Sequence, residues 1–347
     1  MIADMQDTTF YAHTRDGWTL QLIAYQAESK TKRPPVLCIH GFSQNHLSWN
    51  QGGFVRALCE EGFPVYLLDL RGHGGSQLDK QAPDVQERGF CWDLNDYLFE
   101  DLPCVVKLLR ERHDGEKLLL CGHSLGGILS AVYTYRHPED VAMFAMLAAP
   151  LDISKAAARV KLASWAMLRL RGLSTSKRIS WKKLPMNVFF SGMEKVFFSE
   201  VPGVYRALPW LSRYDRFQLL SRLWNPHSID EEIVRYLLRT MEAEPVSVVM
   251  QLADWAVQGG LRFGREEEVD YLPLLSQITT PHLGAWGDED LLAPPRTADS
   301  FYRYIRGRQY RRILLKQTNH IDMTAGAPAL YVANALTECV STHFPIV

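Results

Sequence analysis

Residues 121–127 read CGHSLGG, a serine with glycines two places before it and two and three places after it, directly behind the apolar run KLLL at 117–120. This is the GxSxG arrangement of a nucleophile elbow, in which a serine is held in a strained conformation on a sharp strand-to-helix turn. The glycines have a mechanical reason: Cβ atoms at the flanking positions would collide with the neighbouring strand and helix. An activated serine attacks a carbonyl and needs a base, a group to orient that base, and donors for the oxyanion that forms. Three further stretches have residue types suited to those tasks. In HGFSQNH at 40–46, the backbone N–H of Phe42 is the expected partner of the Leu125 N–H in an oxyanion hole. In GDEDLLAPP at 287–295, Asp290 is the expected orienting carboxylate, with Asp288 as its rival. In QTNHID at 317–322, His320 is the expected general base. The order Ser124, Asp290, His320 is the chain order of this kind of triad. His40, His46, His73 and His123 read as residues that shape the loops beside the site, and His46, His123 and Trp165 are also candidate substrate contacts.

Such a constellation must be mounted on elements that converge. VLCIH (36–40), VYLLDL (65–70), KLLLCG (117–122), VAMFAMLAA (141–149), HLGAW (282–286) and RRILL (311–315) have the length and continuity of parallel strands buried on both faces. Helical patterns lie between them at 53–61, 94–112 and 125–136, so the expected scaffold is a mostly parallel, eight-stranded sheet covered on both sides. Asp16 and Gly17 divide residues 9–25 into an edge hairpin. The alternation stops after Leu151 and resumes near Ile278. Residues 152–277, with Trp165, Trp181, Trp210, Trp224 and Trp255 in helical patterns broken by Pro185, Pro202, Pro209 and Pro226, are read as a helical cap inserted between core segments 1–151 and 278–347. An independent second domain is the alternative.

Composition narrows the classes. The chain has 347 residues, 47% of them hydrophobic, and a net charge of −1, which argues against a general nucleic-acid binder. Six scattered cysteines without CxxC pairs suit reduced thiols, and MIADMQDTTF has neither a basic nor an apolar leader region, so a cytoplasmic location is expected. No cofactor or metal is expected: RGHGGS has no Walker lysine and no GxGxxG order, and His320-Ile-Asp322 is too short to define a metal site. Charge is segregated, however. From Ile153 to Met193 there are nine Lys or Arg and no Asp or Glu, and with Val160, Leu162, Trp165, Ala166, Leu168 and Leu170 this reads as an amphipathic basic segment suited to peripheral contact with an anionic membrane surface. A solvated cap face is the alternative.

HGF at 40–42, DLRGHGGS at 69–76, GHSLG at 122–126, GDEDLLAPP and the late His320 together resemble the α/β-hydrolase superfamily over nearly the whole chain outside the cap. More narrowly, LCGHSLGGILSAVY, HPEDVAMFAMLAAPLD and NHIDMTAGAPA are similar to bacterial hydrolases related to polyhydroxyalkanoate synthases. Those synthases carry a cysteine nucleophile where this chain has Ser124, which favours hydrolysis over polymerisation. The resemblance implies the α/β-hydrolase fold and an esterase or lipase-like activity on a hydrophobic ester. An acyl thioesterase or acyltransferase is the enzymatic alternative, and a ligand receptor with a vestigial triad the non-enzymatic one.

Overall fold

The computed structural model describes residue 5 and residues 7–27, 33–79, 91–174, 183–185, 187–188, 191, 227–305 and 309–343, with 170–174, 183–184 and 343 as backbone only. Trp181, Trp210, Trp224, Pro202, Pro209, Pro226, Lys177, Arg178 and Lys182 lie outside these residues.

One sheet organises the molecule. Its strands are β1 (Asp7–His13), β2 (Trp18–Tyr25), β3 (Val36–Ile39), β4 (Val65–Leu68), β5 (Gln77–Leu78), β6 (Leu118–His123), β7 (Val141–Leu147), β8 (His282–Gly287) and β9 (Tyr310–Leu315). They lie in the order β1-β2-β4-β3-β6-β7-β8-β9, with β5 beside β2. From β4 to β9 every pairing is parallel, whereas β1 and β2 form the expected antiparallel hairpin. Among the described residues the sheet therefore has one strand beyond the eight expected. Two-residue β5 is too short to show as a periodic run, and tertiary bonds hold it: Ser76 Oγ accepts the Gln21 N–H at 2.8 Å and donates to the Asp69 carbonyl at 2.6 Å.

Every residue of β3, β4, β6 and β8 is buried, so these strands are apolar on both faces because both are covered. β9 departs from the expectation. It is the edge of the sheet, and only Ile313 is buried in it, while Arg312 turns out to Asp299 at 2.7 Å. Helix Leu125–Arg136 has the bounds expected. The expected helix at 94–112 contains a π-turn at Tyr97–Asp101 before Leu102–Arg112. Pro103 has no N–H to return to the preceding turn, and the Leu102 N–H instead reaches Tyr97, five residues back.

Between β7 and β8 the described residues form helices Ala158–Ser174, Glu231–Arg239 and Val246–Gln258 and two short ribbons. Val248, Trp255, Phe263 and Tyr271 belong to the same apolar core as the sheet. A smaller cluster joins Ile229, Val234, Leu237 and Leu238 to Ala325. The described part of this segment packs against the scaffold through these two clusters.

The expected apolar face of 160–170 is divided. Val160 packs toward the core and Ser164 is buried, but Leu162 and Trp165 are 66% and 48% exposed. The helix lies along Val246–Gln258 on one side, and Leu162, Trp165 and Arg169 share the opposite face at helical spacing.

Candidate active site

Ser124 stands between the end of β6 and the first residue of helix Leu125–Arg136, with φ 53° and ψ −115°. A non-glycine residue in this region costs about 1–3 kcal/mol and persists only where its surroundings over-determine it. Here they do. The Ser124 N–H donates to the Leu147 carbonyl at 2.8 Å, and its own carbonyl accepts from Gly127 and Ile128. A Cβ on Gly122 would lie 2.1 Å from the Gly126 carbonyl oxygen, and one on Gly126 would lie 2.2 Å from that of Ile39. The glycines are where backbone meets backbone, as the sequence reading required.

The loop after β3 presses against this turn. A Cβ on Gly41 would be 3.1 Å from Cβ of Ser124, which brings the His40-Gly41-Phe42 segment alongside the serine. Among the described residues, neither the Phe42 nor the Leu125 N–H has a hydrogen-bond acceptor. Leu125 also opens a twelve-residue helix, whose N-terminus favours negative charge.

His320 and Asp290 come together across 30 residues: Nδ1 of the ring lies 2.8 Å from Oδ2, with the imidazole 7% and the carboxylate 0% exposed at their side chains. The other oxygen of Asp290 accepts the N–H groups of Leu292 and Ala293, both at 2.8 Å, so the carboxylate is held at both oxygens. With Nδ1–H given to Asp290, the Nε2 lone pair is left to accept a proton. The rival Asp288 is exposed and faces Lys316 at 3.4 Å. Gly287 lets the two loops close: a Cβ there would be 2.0 Å from the Thr318 carbonyl oxygen, and the Glu289 N–H bonds to that oxygen at 3.2 Å.

His123 links the histidine loop to the serine turn. Its Nε2 donates to the His320 carbonyl at 3.0 Å, and the two rings lie 4.9 Å apart. Burial, and then the neighbouring His320, lowers its pKa to about 3, so the ring is neutral. Nδ1, unprotonated in that tautomer, lies 2.9 Å from the Gln44 amide, whose Oε1 accepts the Gly41 N–H at 3.0 Å. His46 has a comparable role: its Nδ1 lies 2.9 Å from Asp69, and its N–H donates to the same carboxylate at 2.7 Å. Burial opposes the charge on Asp69, but His46, His40 and the Gly75 N–H outweigh it and lower its pKa. The hydrogen bonds of both histidines brace loops beside the serine. Trp165, the third expected substrate contact, is exposed with the Arg169 guanidinium 5.1 Å from its ring. Gln44 and Asp69 escaped the sequence reading, because nothing in local spacing marks a residue whose partners come from other loops.

Among the described residues, one set of metal-type donors falls close together, His137, Glu139 and Asp140, within 4.8 Å of one another. Asp140 is already held by Arg110 and by Tyr133 Oη, so this set fits a hydrogen-bonded turn better than a cation.

The family model described as serine aminopeptidase, S33 (Hydrolase_4) matches residues 30–192. Protein phosphatase methylesterase 1 of Candida albicans is 30% identical over 205 residues, which is 58% of this chain. The match spans about half of that relative, 51% of its length. Among solved structures, a thermophilic esterase from Thermogutta terrifontis has a TM-score of 0.60 at 17% identity, covering 97% of this chain and 99% of the other. A monoacylglycerol lipase from Paleococcus ferrophilus has a TM-score of 0.56 at 15% identity, covering 98% of this chain and 100% of the other. None of these matches shows the narrower likeness to hydrolases related to polyhydroxyalkanoate synthases. The strand order of the sheet and the whole-chain agreement with these solved structures show the α/β-hydrolase fold.

Proposed function

We propose that the protein hydrolyses carboxylic esters of hydrophobic acids through an acyl-enzyme on Ser124. The observation that carries this reading is the strained serine at the β6 turn with the hydrogen-bonded His320–Asp290 pair tied to the adjoining residue. His320 Nε2 takes the Ser124 proton as Oγ attacks the ester carbonyl, and the imidazolium is stabilised by Asp290. The Phe42 and Leu125 N–H groups receive the oxyanion. Collapse of the tetrahedral intermediate expels the alcohol, protonated by His320. Water, deprotonated by the same ring, then releases the acid and restores Ser124. No cofactor enters this sequence of steps. Residues 152–277 act in it as a cap over the site.

Two further elements belong to the reading. The exposed Leu162 and Trp165, flanked by Lys161 and Arg169 on a segment with nine basic and no acidic residues, support peripheral contact with an anionic lipid surface. Among the described residues no helix is long and apolar enough to cross a membrane. None of the six cysteines is in a disulfide, which suits the cytoplasm.

The test is a panel of p-nitrophenyl esters and acyl thioesters of graded chain length, run on the wild type and Ser124→Ala. Turnover of esters that falls by about 10⁴-fold or more in the folded variant is expected. Equal turnover in both proteins refutes the assignment.

A further inference from the structure

Glu244 is 1% exposed, yet it carries a carboxylate and lies between 147 and 201 residues from the side chains and N–H it meets. It ends the stretch 240–244, between helices Glu231–Arg239 and Val246–Gln258, which runs against the loop after β3. The contact is dense. Glu244 Oε1 accepts the Ser43 N–H at 2.6 Å, and the Glu242 N–H donates to the Ser43 carbonyl at 2.8 Å. Asn45 Nδ2 donates to the Thr240 carbonyl at 3.2 Å and to Glu242 at 2.9 Å. Ser43 is fully buried with φ 57°, so its backbone, like that of Ser124, is held in a strained conformation by partners. The residue before it is Phe42.

The carboxylate has its own supports. His73 Nε2 lies 3.2 Å from Glu244 Oε1 and its Nδ1 lies 3.0 Å from the Arg71 carbonyl, so both ring nitrogens face acceptors. Tyr97 Oη approaches Glu244 Oε2 at 3.5 Å. Burial works against a charged His73, but Glu244 and the Arg71 carbonyl outweigh it and raise the pKa of the ring. A buried ion pair of this kind is a poor source of stability, because desolvation offsets most of the attraction. Geometry gives it another use: an acceptor fixed by His73 and Tyr97 fixes in turn the peptide next to the oxyanion donor.

We propose that Glu244 is a positioning residue for the oxyanion hole, its carboxylate clamping the Ser43 N–H so that the segment between β7 and β8 sets the direction of the Phe42 N–H. The inference rests on the ester-hydrolase reading and deepens it. A displaced donor weakens the transition state and leaves ground-state binding nearly untouched. The clamp therefore belongs in kcat and not in KM.

The test compares Glu244→Leu, Glu244→Gln and Glu244→Asp for kcat and KM on a short p-nitrophenyl ester, and for affinity toward a trifluoromethyl ketone, whose hemiketal oxyanion occupies the same donors. In Glu244→Leu, which has no acceptor, kcat and ketone affinity are expected to fall together by about 100-fold, with KM within about threefold of wild type. Glu244→Gln, whose amide oxygen still reaches the Ser43 N–H, should recover most of the loss. Glu244→Asp keeps the charge but withdraws it by one methylene, so it should be slower than Glu244→Gln. A folded Glu244→Leu with wild-type kcat and ketone affinity, or with its whole loss in KM, overturns the proposal. Where Glu244→Leu does not fold, an Asp variant as fast as or faster than the Gln variant overturns it, since charge and not reach would then be what matters. Full turnover in Ser124→Ala would sink the esterase reading and this inference with it. Loss of turnover there, with an indifferent Glu244, would sink this inference alone.

Discussion

Oδ2 of Asp290 lies 2.8 Å from Nδ1 of His320, at the bottom of two loops that the glycine at 287 allows to touch. The sequence reading prefers Asp290 to its rival Asp288, and this distance joins the preferred carboxylate to the ring. If Asp290 keeps the Nδ1–H tautomer, Asp290→Asn, which offers an N–H where the carboxylate accepted one, should lower kcat on a p-nitrophenyl ester by about 10⁴-fold with little loss of folding. Asp288→Asn, on the exposed loop, should stay within about twofold of wild type. Steady-state kinetics on both variants checks the choice, and the reverse ranking would transfer the role to Asp288.

The glycines around Ser124 make a stability prediction. A methyl group on Gly126 would lie 2.2 Å from the Ile39 carbonyl oxygen and 2.7 Å from that of His40. These are backbone atoms of β3 and its following loop, which cannot swing aside. Gly126→Ala should therefore cost about 3 kcal/mol or more, well above the roughly 1 kcal/mol that alanine normally gains over glycine within a helix. The urea midpoint measures it, and an unchanged midpoint would mean that the helix and β3 are not in this contact.

Acid sensitivity has an identifiable source in His282. Burial lowers its pKa to about 4, the ring stacks 4.9 Å from Phe144 and 5.4 Å from Tyr310, and its buried Nε2 has no hydrogen-bond partner among the described residues. In the unfolded chain the ring takes up a proton below its ordinary value of 6.5, whereas in the folded protein it resists to about 4. Between those values the unfolded state binds more protons, so stability falls as pH falls, at up to about 1.4 kcal/mol per pH unit for the one ring. His282→Phe should flatten the acid limb by up to that slope between pH 6.5 and 4 and leave the slope above pH 7.5 alone. Urea unfolding at a series of pH values reads the difference, and parallel curves for the two proteins would exclude His282 as its source.

Lipid contact through helix Ala158–Ser174 predicts a salt-sensitive association. Leu162 and Trp165 point outward beside Lys161 and Arg169. In co-sedimentation with vesicles rich in phosphatidylserine, neutralising Arg169, Arg171, Lys177 and Arg178 should weaken binding by several-fold for each charge at the surface, about 1 kcal/mol apiece. Trp165→Ser should weaken it further while leaving hydrolysis of a soluble short ester unchanged. Binding indifferent to all of these substitutions ends the proposal.

What the chain reveals on its own follows from local rules. Strands β3, β4, β6, β7 and β8 were legible because a buried parallel strand is a short unbroken apolar run, and Ser124 because a strained turn between strand and helix demands glycines at set offsets. The order of serine, acid and histidine along the chain was also enough to nominate His320 among eleven histidines. Tertiary structure decided the rest, wherever one residue's role depends on another far away. Only folding brings Asp290 to within 2.8 Å of His320. Only folding brings His46 to Asp69 and His123 to the His320 carbonyl. Packing on Val246–Gln258 turned Leu162 and Trp165 outward, and the sheet edge exposed β9 although RRILL reads like its buried neighbours. Glu244 is the extreme case, an unremarkable acid in MEAEPV until folding buries it against Ser43, because a hydrogen bond that spans some 200 residues leaves no period in the sequence.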